Sequence, residues 1–489
     1  MMAGGMALLS QTAPAVAQPA GTISVRQTAD TKRFADEPGL TWHPAQGPSN
    51  DAIVLDPSRT YQEMLGFGGA LTDASAYMIN QLDAATREKF LHELYHPSEL
   101  GMQVTRICVG SSDYAASMYS YDEGEPDPDL QRFSIDHDKQ YILPQLRTAR
   151  KHNPELYLLA SPWSPPGWMK ANGTMLGGSL KPRNFPVYAN YLTKFLQSYQ
   201  AEGVPVDAIT PQNETDTDQD ARMPACVWAQ EHEIVFVSQH LGPALERNKI
   251  ATKIWVLDHN FNLWGRVINT LENPLMRRYV DGVAWHPYVG SVTAVSRVHD
   301  LFPDKNMYWT EGSLEATYSL VGPMTFGAGA PGGAGPEPAA GTGGRRPRRD
   351  PQSAETIARA GVGAANAVRN WIKCIMVWNL VLDENGKPNI GPFNGRGFTT
   401  IDSKTKEITR SGNYWAMKHY THAARRGARR FDSEGALEGV AHVGFVNPAG
   451  DKSVVLSNTA GARKVQLRLG GLMTEIAIPA NSVTNLNWT

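Results

Sequence analysis

Between residues 61 and 427 the chain alternates short apolar runs with helical patterns eight times, and this alternation constrains its fold more than any other feature. The runs cover 64–70, 102–110, 156–163, 206–214, 253–259, 281–288, 306–311 and 374–383. They are dense in Val, Ile, Leu and aromatic residues and lack strict alternation, as strands buried on both faces do. Helical patterns occupy 82–95, 136–152, 187–201, 228–247, 263–280, 292–301, 354–372 and 413–425. Asp136 and Ser353 stand where helix caps belong. A strand followed by a helix, repeated eight times, predicts an α/β fold built as a parallel (β/α)8 barrel.

The flanks have a different grammar. Short strand-like runs separated by turn signals cover 437–448, 452–458, 464–469, 475–478 and 482–488, and two more, 22–28 and 52–55, precede the barrel. This predicts an antiparallel β domain made from both chain ends, 21–60 and 428–489, around a barrel spanning 61–427. Residues 327–350 are dominated by Gly, Pro, Ala and Arg, a composition that cannot bury enough apolar surface to order itself. This loop contains a formal dinucleotide fingerprint, Gly327-x-Gly329-x-x-Gly332, but no strand closely precedes it and no helix starts there, so the match is read as chance. Its Arg345, Arg346, Arg348 and Arg349 read as a solvated run.

Residues 1–20 are apolar, Ala-rich and uncharged, and Ala15-Val-Ala17 has the small-x-small form of a signal-peptidase site. That favours export, periplasmic or extracellular, over a plain disordered tail. No other run has the length and apolarity to span a bilayer. With 46 basic against 48 acidic residues, the chain lacks the basic surplus of an electrostatic nucleic-acid binder. Cys108 and Cys374 fall inside strand-like runs and read as small hydrophobes, and the three cysteines give neither a disulfide framework nor a zinc site. No metal or cofactor is called for.

In a barrel whose strand ends open onto one face, a carboxylate at a strand end is placed for chemistry rather than packing. Two stand out: Glu214 in Ala208-Ile-Thr-Pro-Gln-Asn-Glu214, and Glu311 in Met307-Tyr-Trp-Thr-Glu311. Facing each other, two carboxyl groups suffice to break a glycosidic bond. Glu214 is expected to be an acid whose proton is retained by desolvation and a neighbouring carboxylate. Asn213 is expected to reach a sugar hydroxyl. Glu311 is expected to be the nucleophile, kept ionised by Arg106 from inside the second strand. The other strand ends carry Asp113, Trp163, His286, Tyr288, Trp378 and Asn379, polar and aromatic groups that suit a sugar and that a purely structural barrel does not need. Asn172-Gly-Thr174 and Asn213-Glu-Thr215 match the N-glycosylation pattern, the second by accident on this reading.

These segments also carry a resemblance. Gly66-Phe-Gly-Gly-Ala-Leu-Thr-Asp73, Ala160-Ser-Pro-Trp-Ser-Pro-Pro-Gly-Trp168, Lys170-x-Asn172, Gly178-Ser-Leu-Lys181, Thr210-x-x-Asn213-Glu214, Glu311 and Trp378-Asn379-Leu380 occur in the order found in glycoside hydrolase family 30. The chain resembles that family, which holds glucosylceramidases and endo-β-1,6-glucanases, from about residue 60 onward. The resemblance implies a retaining mechanism with Glu214 as acid/base and Glu311 as nucleophile. It implies sugar contacts from Asp113, Trp163, Asn213 and Trp378, and less directly from His286 and Tyr288, where the family's His-Trp-Tyr is His-Pro-Tyr. It also implies a barrel joined to a β-sandwich formed from both termini. Asn-Glu-Thr replaces the common Asn-Glu-Pro, and Ile375-Met-Val precedes Trp378 where glucosylceramidases carry Thr-Asp.

The expected activity is retaining hydrolysis of β-glucosidic bonds, glucosylceramidase-like in its closest resemblance, on a β-glucoside, glucosylceramide-like lipid or β-glucan substrate. The alternatives are an endo-β-1,6-glucanase and, from another class, a carbohydrate-binding protein without activity.

Overall fold

Eight parallel strands close into a barrel, in sequence order around the ring: Gly66–Ala70, Val104–Val109, Tyr157–Pro162, Ala208–Ile209, Lys253–Asn260, Val280–His286, Asn306–Trp309 and Ile372–Val377. This computed structural model describes residues 22–47, 52–321 and 350–489. The export-like segment 1–20 and the loop 327–350, apart from Asp350, lie outside the described residues.

All eight expected strands are present, with two corrections. The run 206–214 keeps only two residues as strand, because Pro211 cannot continue the ladder and the chain turns toward Glu214. The run 374–383 divides. Ile372–Val377 stays in the barrel, while Val381–Leu382 pairs with Thr399–Ile401, which pairs in turn with Ile408–Arg410.

The helices follow with similar edits. The pattern 136–152 breaks at Tyr141 into Asp136–Gln140 and Ile142–His152. Asp136 is not the cap: it lies in the first turn, and its N–H bonds to the Ser134 hydroxyl. The pattern 263–280 breaks where Asn273 accepts from Leu275 and Met276 and Pro274 starts a new helix. Ser353 does cap Ala354–Arg369, accepting from the Thr356 N–H. Among the described residues no helix is long and apolar enough to cross a membrane.

The barrel interior is layered. Val104, Leu159, Ala208, Trp255, Ala284, Tyr308, Cys374 and Met376 form one buried apolar floor. Two residues further along, on the same face, six of the strands present Arg106, Ser161, Thr210, His286, Thr310 and Trp378. Strand five reaches this layer irregularly. Its pairing with strand six slips between Ala284 and Trp285, and Leu257 and Asp258 have φ of 72° and 49°. The bulge turns Asp258 into the upper layer in place of Leu257.

The two chain ends build a ten-stranded sheet. It contains the expected strands plus Lys32–Leu40, His43–Pro44 and Arg429–Glu434. Lys32–Leu40 is a charged edge strand with a Pro and a Gly, which hides its strand character. The sheet is not wholly antiparallel, since Arg463–Leu469 runs parallel to Ala52–Glu63. Ile23, Leu456 and Leu486 from one half share a core with Ile53, Leu467 and Ile476 from the other, so the sheet folds over itself as a sandwich. Its other face meets Ala354–Arg369: a Cβ on Gly361 would stand 2.4 Å from Ser457 Oγ. The barrel core accordingly runs on through Val443, Phe445, Val455 and Val483.

Candidate active site

The polar layer of the barrel is one hydrogen-bonded network centred on a buried ion pair. Arg106, completely buried, donates from Nη1 to Glu311 Oε2 at 2.5 Å. From Nη2 it reaches Asn213 Oδ1 at 2.7 Å and Asp258 Oδ2 at 2.8 Å, and from Nε the Ser161 hydroxyl at 3.1 Å. Asp258 also accepts from Ser161, Thr210 and Thr310 and contacts His286 Nε2 at 3.0 Å. A buried carboxylate with this many donors is satisfied as an anion. Burial opposes its charge, but Arg106, His286 and Thr310 hold Asp258 far below the ordinary carboxylate range.

Glu214 and Glu311 face each other above this layer. An oxygen of each and a ring nitrogen of His286 all lie within 4.8 Å of one another. Glu311 Oε1 accepts from the Tyr288 hydroxyl at 3.0 Å. Glu214 sits in a left-handed turn with φ of 53°, its backbone N–H bonded to the Asp258 carbonyl. Its Oε1 lies 3.4 Å from His286 Nδ1 and 3.6 Å from His259 Nε2, and its Oε2 accepts from Gln219 at 2.7 Å.

Burial pushes the Glu214 carboxyl upward, but the His286 hydrogen bond, the charges of His259 and His286 and the Gln219 donor prevail and hold it below the ordinary glutamate value. The sequence expectation was the opposite. The two imidazoles outweigh the neighbouring carboxylate, and neither partner was legible in the Asn-Glu pair. Burial also opposes charge on His286; Glu311, Asp258 and Glu214 overcome it and raise its pKa to about 9. A protonated imidazole has no lone pair for a cation, and Glu311 already carries Arg106, so this trio is a poor cradle for a metal ion.

The other expected residues take distinct places. Trp163 and Trp378 stack at 5.1 Å and 17°, with the Arg106 guanidinium 4.8 Å from the Trp163 ring. Asp113 lines the same cleft; burial and the charges of Glu311 and Glu214 push its carboxyl well above the usual range. Asn379, 1% exposed, lines the cleft with neither side-chain amide atom hydrogen-bonded. Tyr288 is half-exposed at the rim with its hydroxyl turned inward. His286 is completely buried, both ring nitrogens facing carboxylates. Asn213 is 3% exposed and tied to Arg106, so its sequon has no room for a glycan.

Sequence reasoning missed Asp258, His259, Asp216 and Gln219. Leu257-Asp258-His259 did carry a signal, a carboxylate inside an apolar strand, but regular alternation turns Asp258 away from the barrel axis. The cleft holds about 980 Å³ and is lined, besides both glutamates, by Asn260, Val289, Phe393, Arg396 and Asn413.

Comparison with known proteins fits this arrangement. The profile described as Glycosyl hydrolase family 30 TIM-barrel domain matches residues 64–321, and the Glycosyl hydrolase family 30 beta sandwich domain matches 427–486. The chain is 27% identical over 438 residues to "Putative glucosylceramidase 4" of Caenorhabditis elegans, covering 85% of this chain and 78% of that one. It is 28% identical over 428 residues to an endo-1,6-beta-D-glucanase of Neurospora crassa, covering 83% and 80%. A solved endo-beta1,6-glucanase superposes with a TM-score of 0.79 at 26% identity, over 96% of this chain and 100% of that one. SrfJ from Salmonella typhimurium gives a TM-score of 0.83 at 23% identity over 96% and 99%, a likeness of fold alone.

Proposed function

The chain belongs to glycosyl hydrolase family 30, and on that premise we propose that it hydrolyses β-glucosidic bonds with retention of configuration. One observation carries the mechanism: carboxylate oxygens of Glu214 and Glu311 approach within 4.8 Å. Carboxyl groups about 5 Å apart suit direct attack, whereas inversion needs roughly 6.5–9.5 Å to admit a water. Glu311 attacks the anomeric carbon, Arg106 and Tyr288 orienting its two oxygens. Glu214 delivers a proton to the departing oxygen and then takes one from the water that frees the sugar. Asp113, Trp163, Asn379 and Trp378 line the sugar pocket, while His286 stands against both carboxylates and Asn213 holds the Arg106 guanidinium that Glu311 accepts from.

A lowered Glu214 pKa keeps the carboxylate ionised for its second duty, though as a weaker base, and makes it a stronger acid for the first. The protonated form it needs at the start is then confined to acidic pH, so unactivated glucosides are hydrolysed best on the acid side. The deciding experiment is a 2-deoxy-2-fluoroglucoside with an activated leaving group. It should inactivate the enzyme and leave a sugar-sized mass on the peptide bearing Glu311. An α-configured first product, or a label elsewhere, would sink the reading.

The aglycone is read from the cleft. Its volume of about 980 Å³ stands at the upper end for small-molecule sites and exceeds the needs of one sugar. Asn260, Asn262, Asn394 and Asn413 line it together with Phe393, Phe398 and Val289, so hydrogen-bonding groups suited to a β-1,6-glucan and apolar ones suited to a ceramide share the same cleft. Oligosaccharides from β-1,6-glucan, set beside release from glucosylceramide and an aryl β-glucoside, separate the two. Export is proposed on the Ala15-Val-Ala17 pattern, and the mature N-terminus after secretion checks it.

A further inference from the structure

Glu214 is faced by titratable groups from four parts of the barrel. His286 comes from strand six at 3.4 Å and Glu311 from the end of strand seven within 4.8 Å. Asp113, after strand two, lines the same cleft, its carboxyl pushed well above the usual range by burial and by the charges of Glu311 and Glu214. His259, at the end of strand five, brings Nε2 to 3.6 Å from Oε1. Of the groups touching Glu214, His286 also contacts the Asp258 carboxylate, whereas His259 contacts neither that carboxylate nor Arg106. Its ring stands 5.9 Å from that of His286 at 76°. Its Nδ1 instead lies 2.6 Å from Oδ1 of Asp216, a close ionic contact without the alignment of a hydrogen bond. The His259 side chain is 6% exposed and that of Asp216 is 40% exposed. Asp216 therefore reaches in from the mouth of the cleft and grips one side of a buried ring whose other side faces Glu214.

We infer that Asp216 and His259 are positioning residues for the acid/base carboxyl: together they press an imidazole ring against Glu214 and so govern the pH at which it gives up its proton. This rests on the reading of Glu214 as the acid/base. The arrangement is separate from the Arg106–Asp258–His286 network, which steadies both glutamates at once. His259 acts on one of them only, and its charge lowers the pKa of Glu214. An imidazolium beside the carboxylate makes Glu214 more ready to protonate a poor leaving group. It also narrows the pH range in which there is a proton to give. The competing explanation is a plain structural ion pair between a loop and a strand end.

The two explanations differ in which substrates they touch. Phenyl β-glucoside needs a proton on its leaving oxygen; 2,4-dinitrophenyl β-glucoside does not. Profiles of kcat/KM against pH are measured on both for the wild type, His259→Gln, Asp216→Ala and Asp216→Asn. The alkaline limb for the phenyl glucoside should move upward by about one pH unit in His259→Gln, the scale expected when an opposite charge is taken from a carboxylate. It should move the same way, by less, in Asp216→Ala, and Asp216→Asn, which keeps an oxygen against Nδ1, should stay nearer the wild type. The dinitrophenyl profile should keep its alkaline limb in every variant. If His259→Gln fails to fold, Asp216→Ala, altered at the exposed rim, carries the test. Turnover lowered on both substrates with the limb unmoved would overturn the inference and leave the proposed function standing. If the wild type hydrolyses neither glucoside, the proposed function falls and the inference with it.

Discussion

The guanidinium of Arg106 donates to Glu311 at 2.5 Å, with the arginine side chain shut from solvent and the glutamate 6% exposed. The same guanidinium holds Asp258 from its other nitrogen. Arg106→Gln would strip two buried carboxylates of their shared guanidinium and leave His286 as the cation beside them. Unpairing a buried charge costs about 3–5 kcal/mol, so the midpoint of urea unfolding should fall accordingly. Arg106→Lys keeps the charge but not the fork, and should retain more stability than activity. Equal stability of wild type and Arg106→Gln would show the pair to be unimportant to the fold.

Glu214→Ala should hydrolyse phenyl β-glucoside at least 100-fold more slowly, while glycosylation by the dinitrophenyl glucoside, which needs no acid, is largely spared. Added azide should speed release of the trapped sugar. Glu311→Gln should be inactive on both. A uniform loss in Glu214→Ala would remove it from the acid role.

His286 gives a pH signature in stability. Its pKa is about 9 in the fold, against about 6.5 for a histidine in an unfolded chain. The folded state binds this proton more tightly, so its contribution is fully present below about pH 6.5 and is lost as pH rises through 9. The difference in unfolding free energy between wild type and His286→Gln should therefore shrink across that window, by a few kcal/mol at most. A difference that stays flat from pH 6 to 10 would mean that the imidazole is neutral in the fold.

Asn379 predicts a split between stability and binding. Neither amide atom has a protein partner, so Asn379→Ala breaks no hydrogen bond in the fold. Melting should change little, whereas kcat/KM for a glucoside should drop by about 10-fold, the scale of one lost hydrogen bond to substrate. Unchanged kinetics would place the amide outside the sugar site.

Gly363 links the outer helix to the segment that follows Glu311. A Cβ there would meet the Leu314 carbonyl at 1.8 Å, only three residues after Glu311. Gly363→Ala must push that segment away, so it should cost about 1–3 kcal/mol or more and lower kcat together with stability. Wild-type kcat in a folded Gly363→Ala would show that the segment moves without disturbing Glu311.

The barrel was legible because buried parallel strands and amphipathic helices differ in period, and the eight-fold alternation survives local irregularity. The two glutamates were legible because a carboxylate directly after Asn213 or Thr310 has no packing role. Asp258 was not, because the bulge that aims it inward is a property of the strand pairing and leaves no mark on strict alternation. Lys32–Leu40 was invisible for a related reason: an edge strand needs little apolar surface, so its residues report solvent rather than fold. The depressed acidity range of Glu214 depends on His259 and His286, distant in sequence and brought near only by barrel closure.

Strand Ile23–Ala29 lies between Lys32–Leu40 and Ser482–Trp488, hydrogen-bonded to both. During synthesis the early hairpin therefore waits, one edge open, until a partner made more than 450 positions later leaves the ribosome. Helix Ala354–Arg369 packs against that late-completed sheet and, through Gly363, against the segment following Glu311. Catalytic competence should thus arrive in a single late step, and a chain truncated before residue 482 should be inactive rather than partly active.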